Sequence, residues 1–368
     1  MGDPTLTVVM AVFNGALYLR EAVDSLLAQT FADFELLIVD DGSTDATRAI
    51  IESYSDRRIT LLANERNLGL SRSLNRGVAL ARGDYVARMD ADDISEQDRL
   101  ATQFEFLERH PDVVVVGSSY TLIDQHGRHV GRRWVPCDDA GIRWMLQFCS
   151  PFAHSAVMMR KTALEDLAAV YDESLVYAMD YDLWIRLAEL GRLANLNELL
   201  VRWRIHPDSM TGRLGDTTER FDRVVTSFVE RLGWPPGDKC GNKRKGDLLC
   251  GIVSANTPDA TLEELTWAIR TLSELLDDFC RRHNLDTRTN RMLRRDLLRD
   301  TSRTLHWMGH RYADRHDYRD AMRAFAAAGR LSAASLRTPD AMSLAAKLIG
   351  GRPLVSVVRQ LLRGTWSG

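Results

Sequence analysis

The sequence has few cysteines, and none of them falls in a pattern that binds zinc. Its 368 residues include no C-x-x-C pair and no cysteine–histidine spacing typical of zinc; the five cysteines are Cys137, Cys149, Cys240, Cys250 and Cys280. Isolated cysteines of this kind are typical of reduced thiols in the cytosol, because disulfides persist in oxidising compartments. We therefore expect free thiols.

Long hydrophobic runs are also missing. No stretch approaches about 18 uninterrupted apolar residues, the length that a transmembrane helix needs. The first residues, Met-Gly-Asp-Pro-Thr, lead into a predicted strand without a basic or apolar leader. We predict a cytoplasmic protein, and any membrane contact would be peripheral, at the inner face of the membrane.

Two nucleotide-binding signatures are absent as well. A dinucleotide-binding fold would have G-x-G-x-x-G after its first strand, where this chain has Phe-Asn-Gly-Ala at 13–16. No G-x-x-x-x-G-K-[ST] motif occurs, so P-loop nucleotidases are excluded. A sugar-phosphate nucleotidyltransferase would need a basic, glycine-rich loop at the same place, which is also missing.

What the sequence does contain is a regular alternation of strands and helices. Apolar runs predict strands at 5–13, 34–39, 59–62 and 84–89, and helical spacing predicts helices at 16–29, from 43 or 44 to about 54, and 67–81. This alternation predicts an α/β fold with a parallel sheet flanked by helices on both faces. Ligands in such sheets bind beyond the carboxyl ends of the strands.

Three carboxylates, Asp90, Asp92 and Asp93, follow the fourth predicted strand. Clustered carboxylates repel one another, and a divalent cation removes that repulsion. Oxygen ligands suit Mg²⁺ or Mn²⁺, and a diphosphate would complete the coordination. The alternative for such a motif in isolation is a solvated acidic turn or a helix cap.

The ordered motifs resemble those of the family 2 glycosyltransferases, which have the GT-A fold. The resemblance lies in V-V-M-A-V-F-N at 8–14, I-V-D-D-G-S-T-D at 38–45, N-L-G-L-S-R-S-L-N-R-G at 67–77 and M-D-A-D-D at 89–93. It covers about residues 5–210. It implies a Rossmann-like, mostly parallel sheet flanked by helices and a nucleotide-diphosphosugar donor.

The resemblance assigns roles on the donor side of the site. Asp41 would contact the nucleotide base, usually uracil, and Arg72 would lie near the base or diphosphate. Asp90 would contact the ribose or support the metal, and Asp92 would bind the metal directly, while the role of Asp93 stays open. The base pocket would be lined by the end of the first strand, and the remaining nucleotide-sugar candidates are Ala11, Phe13, Asn14 and Ala91.

The acceptor side begins with strands predicted at 113–117, 120–123 and 130–135. The segment P-F-A-H-S-A-V-M-M-R at 151–160 resembles the family's H-P-S-V-M-F-R, so His154 would touch donor phosphate or acceptor, or serve as a structural histidine. The segment M-D-Y-D-L-W at 179–184 resembles E-D-Y-D-L-W and makes Asp180 the expected catalytic base. Met179 replaces the usual glutamate.

A last motif, V-R-W-R-I-H-P-D-S at 201–209, resembles the segment that closes the catalytic core in this family. Its alternation predicts an edge strand. His206 is a candidate late metal ligand, with a non-ligating role as the alternative, and Arg204 would offset leaving-group charge.

The pattern changes beyond residue 212. Residues 1–212 hold 21 basic and 32 acidic side chains, whereas residues 213–368 hold 27 and 19. We predict a catalytic domain at 1–212 and an all-α region at 213–368, with helices at 219–232, 261–283, 290–315, 318–330 and 354–362 and a loop at 233–245. This region would serve acceptor, partner or membrane-surface contacts, and a homo-oligomer formed through it is left open.

Together these features predict an inverting, metal-dependent glycosyltransferase that uses Mn²⁺ or Mg²⁺. The donor would be a nucleotide-sugar, most simply a UDP-sugar, and the acceptor a glycan or lipid-linked hydroxyl in surface polysaccharide synthesis. We expect no nucleic-acid partner. The alternative is a non-catalytic GT-A-like scaffold in a polysaccharide-assembly complex, which Met179 alone favours.

Overall fold

A computed structural model describes residues 3–175, 177–209, 239–253, 260–315 and 317–331, with residues 338, 341, 344 and 345. The chain divides into two compact units, residues 1–224 and residues 225–368. The helices predicted at 219–232 and 354–362 lie outside the described residues.

The first half of unit 1 is the predicted parallel sheet. Its four strands run in the order β3-β2-β1-β4, and each pairs in parallel with its neighbour. β1 and β2 are buried along their whole length, which explains why their residues are mostly apolar. The elements are β1 (Leu6–Val12), α1 (Leu19–Leu27), β2 (Phe34–Asp40), α2 (Thr47–Glu52), β3 (Ile59–Ala63), α3 (Leu70–Leu80) and β4 (Tyr85–Arg88).

The second half extends the same sheet with strands of mixed direction, in the order β8-β6-β9-β5 after β4. β8 is antiparallel to both β4 and β6, β9 is parallel to β6, and β7 pairs with β6. The elements are β5 (Ile94–Ser95), α4 (Arg99–Arg109), β6 (Val113–Ile123), β7 (His129–Arg133), α5 (Asp139–Met145), a 3-10 turn (His154–Ala156), β8 (Met158–Arg160), α6 (Lys161–Glu165), α7 (Met179–Leu190) and β9 (Arg192–Arg204).

Two strand predictions in this half were wrong. The strands predicted at 113–117 and 120–123 form one strand, β6, because Ser118 and Ser119 are buried in the sheet and pair with β9. The edge strand predicted at 201–205 is the end of the longer β9, which pairs with β6 on one side and, at Val201 and Arg202, with β5 on the other. The alternation reflected a half-buried strand end rather than a sheet edge.

The core of unit 1 lies on both faces of the sheet. Successive side chains of a strand point to opposite faces, so Val9, Leu37 and Val39 pack in one cluster with α3 and α7. Val8, Met10, Leu36 and Ile38 pack in the other cluster with α1 and α4. Burial on both faces leaves the strand ends as the place where polar side chains reach solvent.

Unit 2 is helical in all its described segments: α8 (Lys239–Val253), α9 (Leu262–Arg282), α10 (Thr287–Asp314) and α11 (Tyr318–Leu331). A capping box opens α9, in which the side chains of Thr261 and Glu264 each accept a hydrogen bond from the other's backbone N–H. The loop predicted at 233–245 was wrong from residue 239 onward, where α8 begins. None of the helices in the described part of the chain combines the length and hydropathy needed to cross a bilayer.

Candidate active site

The candidate site begins where β1, β2 and β4 end, because parallel neighbours finish at the same edge of the sheet. The loop after β1 is tied to the loop after β2. The backbone N–H of Thr44 donates to Asn14 Oδ1 at 2.8 Å, and that of Asn14 donates to Ser43 Oγ at 3.0 Å. Asn14 has a φ of 51°, a left-handed conformation that asparagine tolerates better than most residues. Asn14 therefore shapes the rim of the site.

The three aspartates after β4 form one cluster. One ligand atom from each of Asp90, Asp92 and Asp93 lies within 4.8 Å of the others. Asp90 is ion-paired with the buried Arg88, and it accepts a hydrogen bond from Ser155 Oγ at 2.7 Å. Burial raises the pKa of Asp90, but the charge and hydrogen bond of Arg88 outweigh it, so that pKa lies below its ordinary value. Asp90 is thus held ionised.

Asp92 is paired with His206, a histidine 114 residues further along the chain. The distance from His206 Nε2 to Asp92 Oδ2 is 2.9 Å. The imidazole packs against the ring of Tyr18, with centroids 4.8 Å apart. Burial, followed by the charge of Asp90, raises the pKa of Asp92. The structure therefore brings together the two residues expected to bind metal.

Asp93 is buried and only partly satisfied. Its Oδ1 accepts a hydrogen bond from the backbone N–H of Arg204 at 2.8 Å, whereas Oδ2 has no hydrogen-bond partner among the described residues. Burial and the charges of Asp92 and Asp90 raise its pKa well above the ordinary value. Mutual repulsion and a buried carboxylate oxygen without a partner fit a site for a hard divalent cation, which prefers oxygen ligands.

Arg204, expected beside the leaving group, has its guanidinium buried beneath this loop. Its Nε donates to the carbonyl oxygen of Asp92 at 2.8 Å, and an Nη donates to Glu21 Oε2 at 2.5 Å. The same group lies 4.5 Å from the centroid of the Tyr18 ring. Arg204 thus ties the end of β9 to the aspartate loop and to α1.

Both carboxylate oxygens of Asp41 accept hydrogen bonds from other residues of the protein. Its Oδ1 accepts from the backbone N–H of Leu68 at 2.8 Å and from Asn64 Nδ2 at 2.7 Å, and its Oδ2 accepts from the N–H of Gly69 at 2.9 Å. Asp41 therefore holds the turn that leads into α3. Arg72, on α3, forms an exposed ion pair with Glu173 at 2.9 Å.

The three apolar donor-side candidates differ in exposure. Ala11 is buried in β1, Ala91 is partly buried, and Phe13 is 44% exposed at the end of β1. A Cβ built on Gly15 would lie 3.8 Å from the Cβ of Ala91, so the loops after β1 and β4 are close neighbours. Of these three side chains, the aromatic ring of Phe13 is the most exposed to solvent.

His154 is bonded to a residue that sequence reasoning missed. Its Nε2 lies 2.8 Å from the hydroxyl of Tyr171, and its ring centroid lies 6.0 Å from that of Trp184. Burial and the positive charge of Arg88 lower the pKa of His154 well below its ordinary value, so the ring is neutral. The bond to Tyr171 gives His154 a structural contact, and its contact with donor phosphate or acceptor stays a prediction.

Asp180 lies in the first turn of α7, and its side chain is half-buried. The pKa of Tyr171 is raised by burial and further by the charges of Asp180 and Asp90. The hydroxyl of Tyr171 therefore interacts electrostatically with both carboxylates. Met179 beside it is buried, and Ser71 Oγ donates to its Sδ at 2.7 Å. Asp182 pairs with Arg186 on the same helix at 2.8 Å, which sets it apart from Asp180.

Sequence reasoning missed the residues that support this site from elsewhere in the chain. They are Tyr18, Glu21, Arg88, Ser155 and Tyr171. Arg88 carried a signal, because a charged residue inside a buried strand needs a partner and the aspartates follow directly. The others had none, since their contacts come from distant segments.

The comparisons with known proteins agree with this architecture. The model of the family "Glycosyl transferase family 2" matches residues 7–168. The putative glycosyltransferase EpsE of Bacillus subtilis (strain 168) is 36% identical over 242 residues, which are 64% of this chain and 85% of EpsE. The amylovoran biosynthesis glycosyltransferase AmsE of Erwinia amylovora is 32% identical over 200 residues, 54% of this chain and 74% of AmsE.

Solved structures show the same fold at lower identity. S. aureus TarS 1–349 in complex with UDP-GlcNAc has a TM-score of 0.54 at 20% identity, over 74% of this chain and 80% of that one. The mannosyltransferase PcManGT from Pyrobaculum calidifontis, in complex with GDP-Man and Mn²⁺, has a TM-score of 0.51 at 17% identity, over 79% and 85%. The matched family model, the relatives and the shared GT-A architecture lead to one conclusion: the chain belongs to glycosyltransferase family 2.

Proposed function

We propose that this glycosyltransferase is inverting and metal-dependent, and that it transfers a sugar from a UDP-sugar to a hydroxyl of a glycan or lipid-linked acceptor in surface polysaccharide synthesis. The observation that carries the proposal is the cluster of Asp90, Asp92 and Asp93 at the end of β4. The amylovoran biosynthesis role in the name of AmsE supports the proposed pathway class.

On the donor side, Asp90 is paired within the protein, and Asp92 is the proposed ligand of the cation. Asp90 is paired with the guanidinium of Arg88, whereas the partner of the Asp92 carboxylate among the described residues is the imidazole of His206. Asp92 and His206 would therefore hold Mn²⁺ or Mg²⁺. The bound cation would neutralise negative charge on the departing diphosphate. Phe13, Asn14 and Asp41 border the nucleotide side at the ends of β1 and β2.

On the acceptor side, Asp180 is the proposed general base. An inverting transfer is a displacement in which the acceptor hydroxyl attacks the anomeric carbon opposite the departing diphosphate. The hydroxyl must lose its proton in that step, and a carboxylate within hydrogen-bond reach accepts it. Asp180 is half-buried in the first turn of α7, and Asp182, two residues on, is paired with Arg186.

The scaffold alternative loses its main argument. Met179, the residue that favoured it, is a buried packing contact with Ser71 on α3. A methionine at this position therefore has a packing role beside Asp180. No further observation favours a non-catalytic role over transfer.

A donor panel tests the proposed function. Release of UDP or GDP would be measured from UDP- and GDP-sugars with Mn²⁺, with Mg²⁺ and after chelation, and the anomeric configuration of the product would be read by NMR. We expect UDP release that chelation abolishes and a product of inverted configuration. Turnover that is unaffected by chelation, or retention of configuration, would overturn the mechanism, and no turnover with any donor would favour the scaffold.

A further inference from the structure

The hairpin formed by the end of β6 and by β7 is largely exposed to solvent. Every residue from Gln125 to Trp134 except Gly131 is exposed. Two of its large apolar side chains face solvent, with Val130 exposed by 55% and Trp134 by 58%. β7 pairs with β6, and no described strand pairs with its other edge. Exposed apolar side chains grouped on one element indicate a contact surface.

The same ten residues are strongly basic. They contain three arginines, two histidines and no acidic residue, within a half of the chain that carries an excess of acidic side chains. Arg128 pairs with Asp124 at 2.7 Å. Arg132 and Arg133 are exposed and form no ion pair with any residue that the structure describes. Their charge is available to a negatively charged partner.

We propose that this hairpin docks on the surface of an anionic lipid bilayer. Arginine next to exposed tryptophan and valine matches an interface in which phosphate groups lie above hydrocarbon, since tryptophan prefers the headgroup level and basic residues are attracted to anionic lipid. A second copy of the chain fits less well, because pairing two β7 edges would bring like-charged arginines together.

The hairpin is continuous with the active site, which gives the contact a consequence. Arg204, whose Nε bonds the carbonyl of Asp92, also donates from Nη to the carbonyl of Asp124 at the hairpin turn, at 3.3 Å. The backbone N–H of the 49% exposed Ile205 donates to the carbonyl of Ile123 at 2.8 Å. Docking would therefore hold the aspartate loop close to a membrane-borne acceptor. This consequence rests on the proposed function, whereas the contact itself does not.

Vesicle sedimentation of the full chain, without donor or acceptor, tests the contact. The wild type would be compared with the double variant Arg132→Gln, Arg133→Gln on phosphatidylcholine vesicles with and without phosphatidylserine. We expect the double variant to bind the anionic vesicles about 30-fold more weakly, since each basic residue at such a surface contributes about 1 kcal/mol. A matched control, Arg57→Gln with Arg109→Gln, removes two exposed charges elsewhere in unit 1 and should bind like the wild type.

A second variant separates the apolar contribution from the charge. Trp134→Ser should weaken binding to both kinds of vesicle, whereas the double arginine variant should affect only anionic ones. Hydrolysis of the donor in the absence of vesicles should be equal in all variants. Because the vesicle assay contains no donor, its result can be interpreted even if the proposed function is wrong.

Three results would overturn the proposal. Undiminished vesicle binding by the double arginine variant would assign membrane contact to another part of the chain. A wild-type dimer that becomes monomeric in that variant would assign the edge to a second copy. Loss of transfer to a soluble acceptor, with vesicle binding unchanged, would make the hairpin an acceptor-glycan surface.

Discussion

The proposed base Asp180 lies in the first turn of α7, which begins directly after a residue with a strained backbone. Ala178, two residues earlier, has a φ of 58°, in the left-handed region that costs a non-glycine residue about 1–3 kcal/mol. Such a conformation persists when its surroundings impose it, and here Met179 is anchored by Ser71. Backbone strain of this kind clusters at active sites, and at Ala178 it would help to fix the position of the Asp180 side chain.

The first prediction concerns this base. Asp180→Asn should lower turnover by about 10²–10⁴-fold, because an amide cannot accept the proton of the acceptor hydroxyl. UDP binding should be retained, since the proposed donor contacts lie at the strand ends and not on α7. Transfer rate and UDP affinity would be measured on the same preparation.

Asp182→Asn is the matched control for that variant. It changes the same residue type in the same helical turn, but its carboxylate pairs with Arg186. Turnover close to wild type is expected. Near-normal transfer by Asp180→Asn would remove that residue from the mechanism.

A second residue-scale prediction concerns stability and pH at Glu35. This buried carboxylate accepts hydrogen bonds from Thr7 Oγ1 at 2.8 Å and from Arg82 Nε at 2.8 Å. Burial alone would raise its pKa, but the bonds from Arg82 and Thr7 outweigh burial, and the pKa lies below its ordinary value of 4.5. Because the folded-state pKa is depressed, the stabilisation is present above the unfolded-state pKa and is lost as pH falls through the folded-state value.

Glu35→Gln should therefore lower the free energy of unfolding by about 1–3 kcal/mol at pH 7, as expected for a disrupted buried hydrogen-bonded charge. The difference from wild type should shrink below pH 4.5, as the wild-type carboxylate becomes protonated. Urea unfolding at several pH values measures it. As the control, Glu105→Gln removes an exposed ion pair with Arg109 and should change the free energy of unfolding by less than about 1 kcal/mol. An effect of Glu35→Gln that does not depend on pH would contradict the lowered pKa assigned to Glu35.

Among the secondary-structure elements, the end of β9 holds the loop that carries the three aspartates. The backbone of Arg204 holds Asp93, its side chain holds the carbonyl of Asp92, and His206 meets the carboxylate of Asp92. All three contacts exist because β9 lies in register with β6 and reaches β5 beside the loop. The strand end thus acts as a clamp on residues more than a hundred positions away.

The third prediction follows from that clamp. Arg204→Lys should weaken metal affinity by about 10–100-fold, the usual effect of disturbing residues that orient metal ligands. A lysine carries the charge but cannot bond Asp92, Glu21 and Asp124 at once. Mn²⁺ titration of donor hydrolysis measures the effect. Arg202→Lys, whose ion pair with Glu96 is partly exposed, is the control, and equal metal affinities in the two variants would argue against the clamp.

For the whole molecule, the fourth prediction is a stability linkage. A ligand that binds only the folded state stabilises it by about 2.7 kcal/mol at a hundredfold excess over Kd. Mn²⁺ and UDP together should therefore raise the unfolding temperature more than either alone, because oxygens of the diphosphate would fill coordination positions of a cation held by the aspartates. Differential scanning calorimetry would measure it.

Asp92→Asn should remove the part of this shift that depends on Mn²⁺ and leave the part due to UDP alone. The same variant tests whether the cluster is a metal site or a network of ion pairs. An unchanged Mn²⁺-dependent shift in Asp92→Asn would show that the cation binds elsewhere.

The parallel half of the sheet and the acidic cluster could both be predicted from the sequence. β1, β2 and β4 are nearly uniform apolar runs, and burial on both faces leaves such runs few alternatives to a central strand. The three aspartates follow β4 directly, so their proximity is a local property of the chain. The motif order added the expected base, Asp180.

The residues that surround those aspartates could not be predicted from the sequence, because they come from distant parts of the fold. The Asp92–His206 contact and the bond from Arg204 to Asp93 join residues 114 and 111 positions apart, and they depend on where β9 lies in the sheet. The bond between His154 and Tyr171 likewise requires the segment before α7 to fold back onto the 3-10 turn. Local patterns report whether a side chain is buried, but its partner is set by the closure of the whole sheet.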